Sequence, residues 1–86
     1  MYYVYLLQSK KDRKLYVGYT KDLINRIATH SKGQVKSTKS RLPIKLIFYE
    51  SYINQEDALR RERYFKTNKG KRALKLMLQS YFSEEI

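Results

Sequence analysis

The 86-residue chain contains no cysteine, which removes disulfide staples, thiolate zinc sites and thiol nucleophiles from its possible chemistry. No apolar run approaches the ~18 residues that a membrane-spanning helix requires. The amino-terminal "MYYVYLLQSKK" puts its apolar run before its charge, the reverse of a secretory leader. A cytoplasmic protein is expected on both grounds. Acids are scarce as well: eight Asp and Glu stand against nineteen Lys and Arg, for a net charge of +11. Solubility needs far less on a small domain, so the imbalance implies a polyanionic partner. Nine tyrosines accompany it. Basic charge interleaved with aromatic side chains points to nucleic acid rather than to an anionic membrane.

The segments "YYVYLLQ" (2–8) and "LYVGYT" (15–20) are rich in β-branched and aromatic residues and predict a hairpin of two strands around the polar "KKDRK". Gly18 within the second predicts a close backbone approach or a bulge. Thr20 reads as the N-cap of a helix, "KDLINRIATHSKG", that ends near Gly33. Asp22 suits its positive N-terminus, and Leu23, Ile24, Ile27 and Ala28 form its apolar face. Residues 31–43 make a basic loop, too polar for the core. "IKLIFYESY" (44–52) is apolar on both faces for several residues, which predicts a central, covered strand. Asn54 caps a second helix through about Lys66, with Glu56 and Asp57 in its first turn. "KGKRALKLMLQSYF" predicts a third, with Leu74, Met77, Leu78 and Tyr81 at i, i+3, i+4 and i+7. One domain over 1–82 is expected, followed by a frayed tail, 83–86. The order ββαβαα predicts an α+β fold, a small three-stranded antiparallel sheet flanked by helices.

One acid is oddly placed. In "DALRRERYFK" (57–66), Glu62 lies about 40° from Ala58 and about 60° from Leu59 and Phe65 around the helix, inside the apolar stripe. A buried carboxylate without a partner costs several kcal/mol, so it has a cation or does chemistry. Lys66, at i+4, is the cation within reach. Tyr5 and Tyr16 lie on adjacent strands, where some registers place them on one face. Arg26 and His30 stack at i, i+4 on the first helix. Each has an ordinary alternative: strand tyrosines as packing, a lone histidine as a structural group, and an edge arginine as a solvated charge. Cations gather at Lys36, Lys39 and Arg41 in the loop, and at Lys66, Lys69, Lys71 and Arg72 after the second helix.

In this order the residues resemble the GIY-YIG nucleases, over roughly Tyr2 to Leu78. Tyr3-Val4-Tyr5 and Tyr16-Val17-Gly18 stand as the two signature tripeptides, with Tyr3 in place of the first glycine. "NRIATH" looks like the family helix that carries an arginine, and "ALRRERYFK" like the helix that carries a metal-binding glutamate. "YVYLLQS", "LYVGYTKDL", "STK" and "RLPIKLIFYE" are most similar to the small stand-alone bacterial UPF0213 branch, related to the nuclease domain of structure-specific endonucleases that act on branched DNA. The resemblance implies a metal-dependent endonuclease that hydrolyses DNA phosphodiester bonds, with branched or damaged DNA and a role in DNA repair as candidates. Tyr5 and Tyr16 would face the scissile phosphate and hold or deprotonate the attacking water. Arg26 would stabilise the phosphoryl charge, His30 would be a base or orienting group, and Glu62 would bind one Mg²⁺ or Mn²⁺. Whether Tyr5, Tyr16 or His30 is the general base stays open. Lys36, Lys39, Arg41, Lys66, Lys69 and Arg72 are expected to bind phosphates. RNA offers the same phosphates, and a protein partner is expected to supply target selection. The alternative is a nucleic-acid-binding module with little or no intrinsic cleavage.

Overall fold

Strand β1 (Tyr2–Ser9) lies between β2 (Leu15–Thr20) and β3 (Ile44–Tyr52) in a three-stranded sheet, antiparallel on both sides. The computed structural model describes residues 1–84. The α+β class and the three antiparallel strands agree with the sequence expectation, but the middle strand does not. β3, expected at the centre, is an edge, and β1 is the covered strand: Val4, Tyr5, Leu6 and Leu7 are each at most 1% exposed. Lys45, Tyr49 and Ser51 explain the difference, since they leave β3 a partly exposed strand. In β1, four consecutive non-charged, bulky residues have both faces covered.

The register pairs Tyr5 with Gly18 and Leu7 with Tyr16. Side chains alternate along a strand, so Val4, Leu6 and Val17 share one face while Tyr5, Leu7 and Tyr16 share the other. The first face packs on helices α2 (Gln55–Phe65) and α3 (Asn68–Met77), whose Ala58, Phe65 and Leu74 complete the core. The second receives helix α1 (Leu23–Ser31), whose buried residue is His30.

Several boundaries moved for identifiable reasons. Asp22, not Thr20, caps α1, its Oδ1 accepting from the Asn25 amide at 3.3 Å. The Thr20 hydroxyl instead accepts from the Asp22 amide at 3.1 Å. Ile24, expected on the apolar face, is 84% exposed. Asn54 caps α2 as expected, accepting from the Glu56 amide at 2.8 Å. The expected third helix divides at Leu78 into α3 and α4 (Gln79–Glu84), and Met77 is left 45% exposed. The break turns Tyr81 back to the sheet, where its hydroxyl donates to Gln8 Oε1 at 2.6 Å. The expected tail is helical through Glu84, and residues 85 and 86 lie outside the described residues.

The loop over 31–43 also departs from expectation, because Val35 and Thr38 are buried. Hydrogen bonds fasten it to the hairpin. The Ser9 hydroxyl donates to the Arg41 carbonyl at 2.7 Å, the Lys10 amide to the Pro43 carbonyl at 2.8 Å, and Lys11 Nζ to the Ser40 carbonyl at 3.3 Å. A polar segment can lie against the sheet when its backbone groups are satisfied in this way.

Candidate active site

Tyr5 is the hub of a hydrogen-bonded group on the α1 face of the sheet. Its hydroxyl lies 2.9 Å from His30 Nε2 and accepts from Arg26 Nε at 3.4 Å. On its other ring nitrogen, His30 meets Thr38 Oγ1 at 2.7 Å. Tyr5, His30 and Thr38 are all essentially buried. These contacts assign the protons. Arg26 can only donate, so the Tyr5 oxygen accepts, and the buried phenol proton takes His30 Nε2 as its acceptor. The remaining ring proton is then on Nδ1 and is donated to Thr38. Among the described residues no buried side-chain nitrogen or oxygen lacks a partner.

Gly18 makes this packing possible. It is the cross-strand partner of Tyr5, and a Cβ at position 18 would overlap the Tyr5 ring and hydroxyl. The expected close approach is therefore made by a side chain. Tyr16 flanks the group, its ring 6.4 Å from that of Tyr5 and 5.2 Å from that of His30. It is half-buried, whereas Tyr5 is sealed. Of the two tyrosines that the resemblance implied, Tyr16 is the one that opens outward, and Tyr5 is 1% exposed.

The electrostatics follow from the packing. Burial pushes the Tyr5 phenol up, the Arg26 hydrogen bond opposes it, and the charges of Tyr16 and Glu62 add to the rise. Arg26 is pushed up by its bond to Tyr5, with Tyr16 as a further partner. Burial, with Arg26 nearby, holds His30 below the ordinary histidine range. His30 is thus a neutral ring with both nitrogens occupied.

Glu62, on α2, has the cation foreseen for it: its carboxylate lies 3.2 Å from Lys66 Nζ, with 19% of the Glu62 side chain and 54% of the Lys66 side chain exposed. Its charge is the smallest of the named contributions that raise the Tyr5 phenol. No cluster of three or more His, Asp or Glu suited to a metal ion occurs among the described residues. A single carboxylate does not make a zinc site, but it suits a hard divalent cation that keeps waters and takes substrate oxygens, as Mg²⁺ does. Glu50 is accounted for elsewhere. It accepts from Arg61 at 2.9 Å and from the Tyr52 hydroxyl at 2.6 Å, tying α2 to β3; burial, and then the bond to Glu50, pushes the Tyr52 phenol up to about 12.

The family model for the GIY-YIG catalytic domain matches residues 1–75. The chain belongs to the GIY-YIG family. A UPF0213 protein of Pediococcus pentosaceus is 42% identical over 83 residues, which cover 95% of this chain and 86% of the relative. The UPF0213 protein SSP2268 of Staphylococcus saprophyticus is 40% identical over 77 residues, covering 88% and 93%. The solution structure of the UPF0213 protein BH0048 from Bacillus halodurans superposes with a TM-score of 0.57 at 34% identity, over 90% of this chain and 85% of that one. Family membership places the chain in a nuclease superfamily.

In this GIY-YIG domain the expected cations divide. Arg41 and Lys66 line one cleft beside Tyr16. Lys36, Lys39, Lys69 and Arg72 are exposed outside it. Thr38 was not among the expected site residues, nor were Lys14 and Lys75, which join the cleft. Lys14 stood in "KKDRK", read only as a turn, and its charge run was the available signal. No helix among the described residues is long and apolar enough to cross a membrane.

Proposed function

We propose that the protein is a divalent-metal-dependent endonuclease that hydrolyses phosphodiester bonds in DNA. The observation that carries this reading is the Arg26 guanidinium bonded to the buried Tyr5 hydroxyl, with the Tyr16 ring beside it, on a chain of net charge +11 that also carries the inward-facing Glu62. Arg26 is fixed in direction by Tyr5, and a planar guanidinium is suited to paired contacts with phosphoryl oxygens. Charge stabilisation of that kind is effective when it is preorganised. Tyr16 orients the attacking water. His30 and Thr38 act behind Tyr5, setting the direction of its hydroxyl and so of Arg26. Glu62, with Lys66 displaced from it, is the residue that would hold Mg²⁺ or Mn²⁺. When bound, such an ion supplies Lewis-acid stabilisation of the phosphoryl and leaving oxygens.

A binding module with little cleavage is favoured by one observation, the Glu62–Lys66 ion pair, which accounts for the acid without a metal. Purified protein incubated with Mg²⁺ or Mn²⁺ on plasmid, single-stranded and branched DNA, and on RNA of matching sequence, decides between the two. Cleavage by the wild type, with kcat lowered on the order of 10²-fold in Arg26→Ala and binding nearly unchanged, supports the nuclease. Tight binding without metal-dependent cleavage on any substrate supports the module.

A further inference from the structure

A cleft of about 650 Å³ opens between β2 and the α3–α4 corner, with Tyr16 in its wall. Its chemistry is divided. Leu15, Val17, Leu74 and Phe82 form an apolar floor, and Lys14, Arg41, Lys71 and Lys75 stand among its lining. Among the described residues none that lines it carries negative charge. Two of its cations, Lys71 and Lys75, project from successive turns of α3 and are exposed.

The cations match phosphates, but they do not explain the floor. An occupant must carry negative charge and an apolar face on one molecule, and a nucleotide does. In a paired duplex the faces of the bases are covered by stacking, so only phosphates, sugars and base edges are offered. The floor finds a partner only when a base leaves the stack. Its volume falls in the range of small-ligand clefts, and Phe82 supplies an aromatic ring of the kind on which unpaired bases stack. Because Tyr16 belongs both to the cleft and to the group around Arg26, the occupant is a nucleotide near the phosphate under attack.

The geometry points to a binding site for one unpaired nucleotide beside the scissile phosphate, which makes DNA with a single-stranded segment or unpaired end the preferred substrate. This deepens the nuclease reading and rests on it for the position of the cut. An apolar floor reads a base by its face, so the site tolerates all four bases.

The test is binding with metal chelated, which separates it from cleavage. Single-stranded, blunt-duplex and tailed-duplex oligonucleotides are titrated by anisotropy, with 2-aminopurine in the unpaired segment as a stacking probe. Expected are a change in 2-aminopurine emission on binding and tighter binding of the single-stranded and tailed forms than of the blunt duplex. Phe82→Ala should weaken the unpaired forms about tenfold, as loss of one base–aromatic stack does, and leave the blunt duplex within about twofold. Should Phe82→Ala fail to fold, Lys71→Glu with Lys75→Glu on the exposed side of α3 serves instead. It should weaken tailed DNA more than blunt duplex and reduce the salt slope by about two. Equal affinity for blunt and tailed duplex with no 2-aminopurine response overturns the site, as does an equal loss on both in either variant. A protein that cuts blunt and tailed DNA alike retains the nuclease reading and loses this one. One that prefers unpaired ends yet never cuts does the opposite.

Discussion

Thr38→Val removes one hydroxyl from a sealed place and keeps the shape around it. In the wild type Thr38 Oγ1 is 2.7 Å from His30 Nδ1, with His30 0% and Thr38 1% exposed. Water cannot replace the lost acceptor, so the ring N–H is left buried and unsatisfied at a cost of about 1–3 kcal/mol. For a domain of this size each kcal/mol moves Tm by roughly 4–8 °C, so the midpoint should fall by about 5–20 °C. His30 has an alternative, which is to move its proton to Nε2 and donate to the Tyr5 oxygen. That exchange strands the Tyr5 proton and turns its hydroxyl away from Arg26. The nitrogen shifts of the His30 ring by NMR should therefore move from the Nδ1–H pattern toward Nε2–H, with cleavage reduced on the order of tenfold. Thr38→Ser restores the oxygen and should restore both tautomer and rate. A valine variant with wild-type Tm and unchanged ring shifts would refute the proton assignment and the role given to Thr38.

Glu62→Gln should change stability by less than about 1 kcal/mol, since Lys66 is largely exposed and such pairs contribute little; metal-dependent cleavage should vanish because an amide is a poor ligand for a hard cation. Early melting with cleavage retained would make the acid structural. Tyr16→Phe should fold normally and cleave about 10²-fold more slowly, whereas Tyr5→Phe should lose about 1–3 kcal/mol as well, because its hydroxyl partners are buried. Denaturation and cleavage assays on the pair check this, and the reverse pattern would exchange their roles. Gly18→Ala should cost about 1–3 kcal/mol by overpacking against the Tyr5 ring, read by denaturant melts. Folded His30 is held below the ordinary value near 6.5, so the unfolded chain takes up the proton first as pH falls. The His30 contribution to stability is therefore complete above about pH 6.5 and is lost as pH drops below it through the folded value; His30→Gln should flatten that part of the stability profile.

Much of the fold was legible where local chemistry acts alone. The hairpin, the Asn54 cap and the apolar face of α2 follow from periodicity and turn residues within a few positions of one another, whereas of the face expected for the third helix Leu74 alone is buried within α3. The pairing of β3 could not be read that way. Both β1 and β3 look fit for the middle of a sheet, and the choice depends on which faces the helices cover. The Thr20 error was a contest between two good caps two residues apart, decided by Asp22 bonding to Asn25. At the site, the i, i+4 spacing of Arg26 and His30 puts both on the Tyr5 hydroxyl, and the inward position read for Glu62 matches a side chain 19% exposed. Thr38 was not legible, because a threonine amid serines and lysines gives no sign that a distant histidine needs its oxygen. The burial of Tyr5 was equally hidden, since it depends on the register that sets Gly18 beneath its ring.

The loop above His30 is fastened by hydrogen bonds at Ser9, Lys10 and Lys11 and by Thr38 itself, and it fully buries only Val35 and Thr38. Val35 is the one apolar side chain that the loop itself buries fully, and exposed apolar surface is what gives an opening reaction its heat-capacity change. Its opening should therefore have an enthalpy that varies less with temperature than that of the core between sheet, α2 and α3, which follows the curved stability profile of a hydrophobic assembly. On warming from the cold, the core should strengthen toward its maximum, while the hydrogen-bonded roof over His30 should gain less.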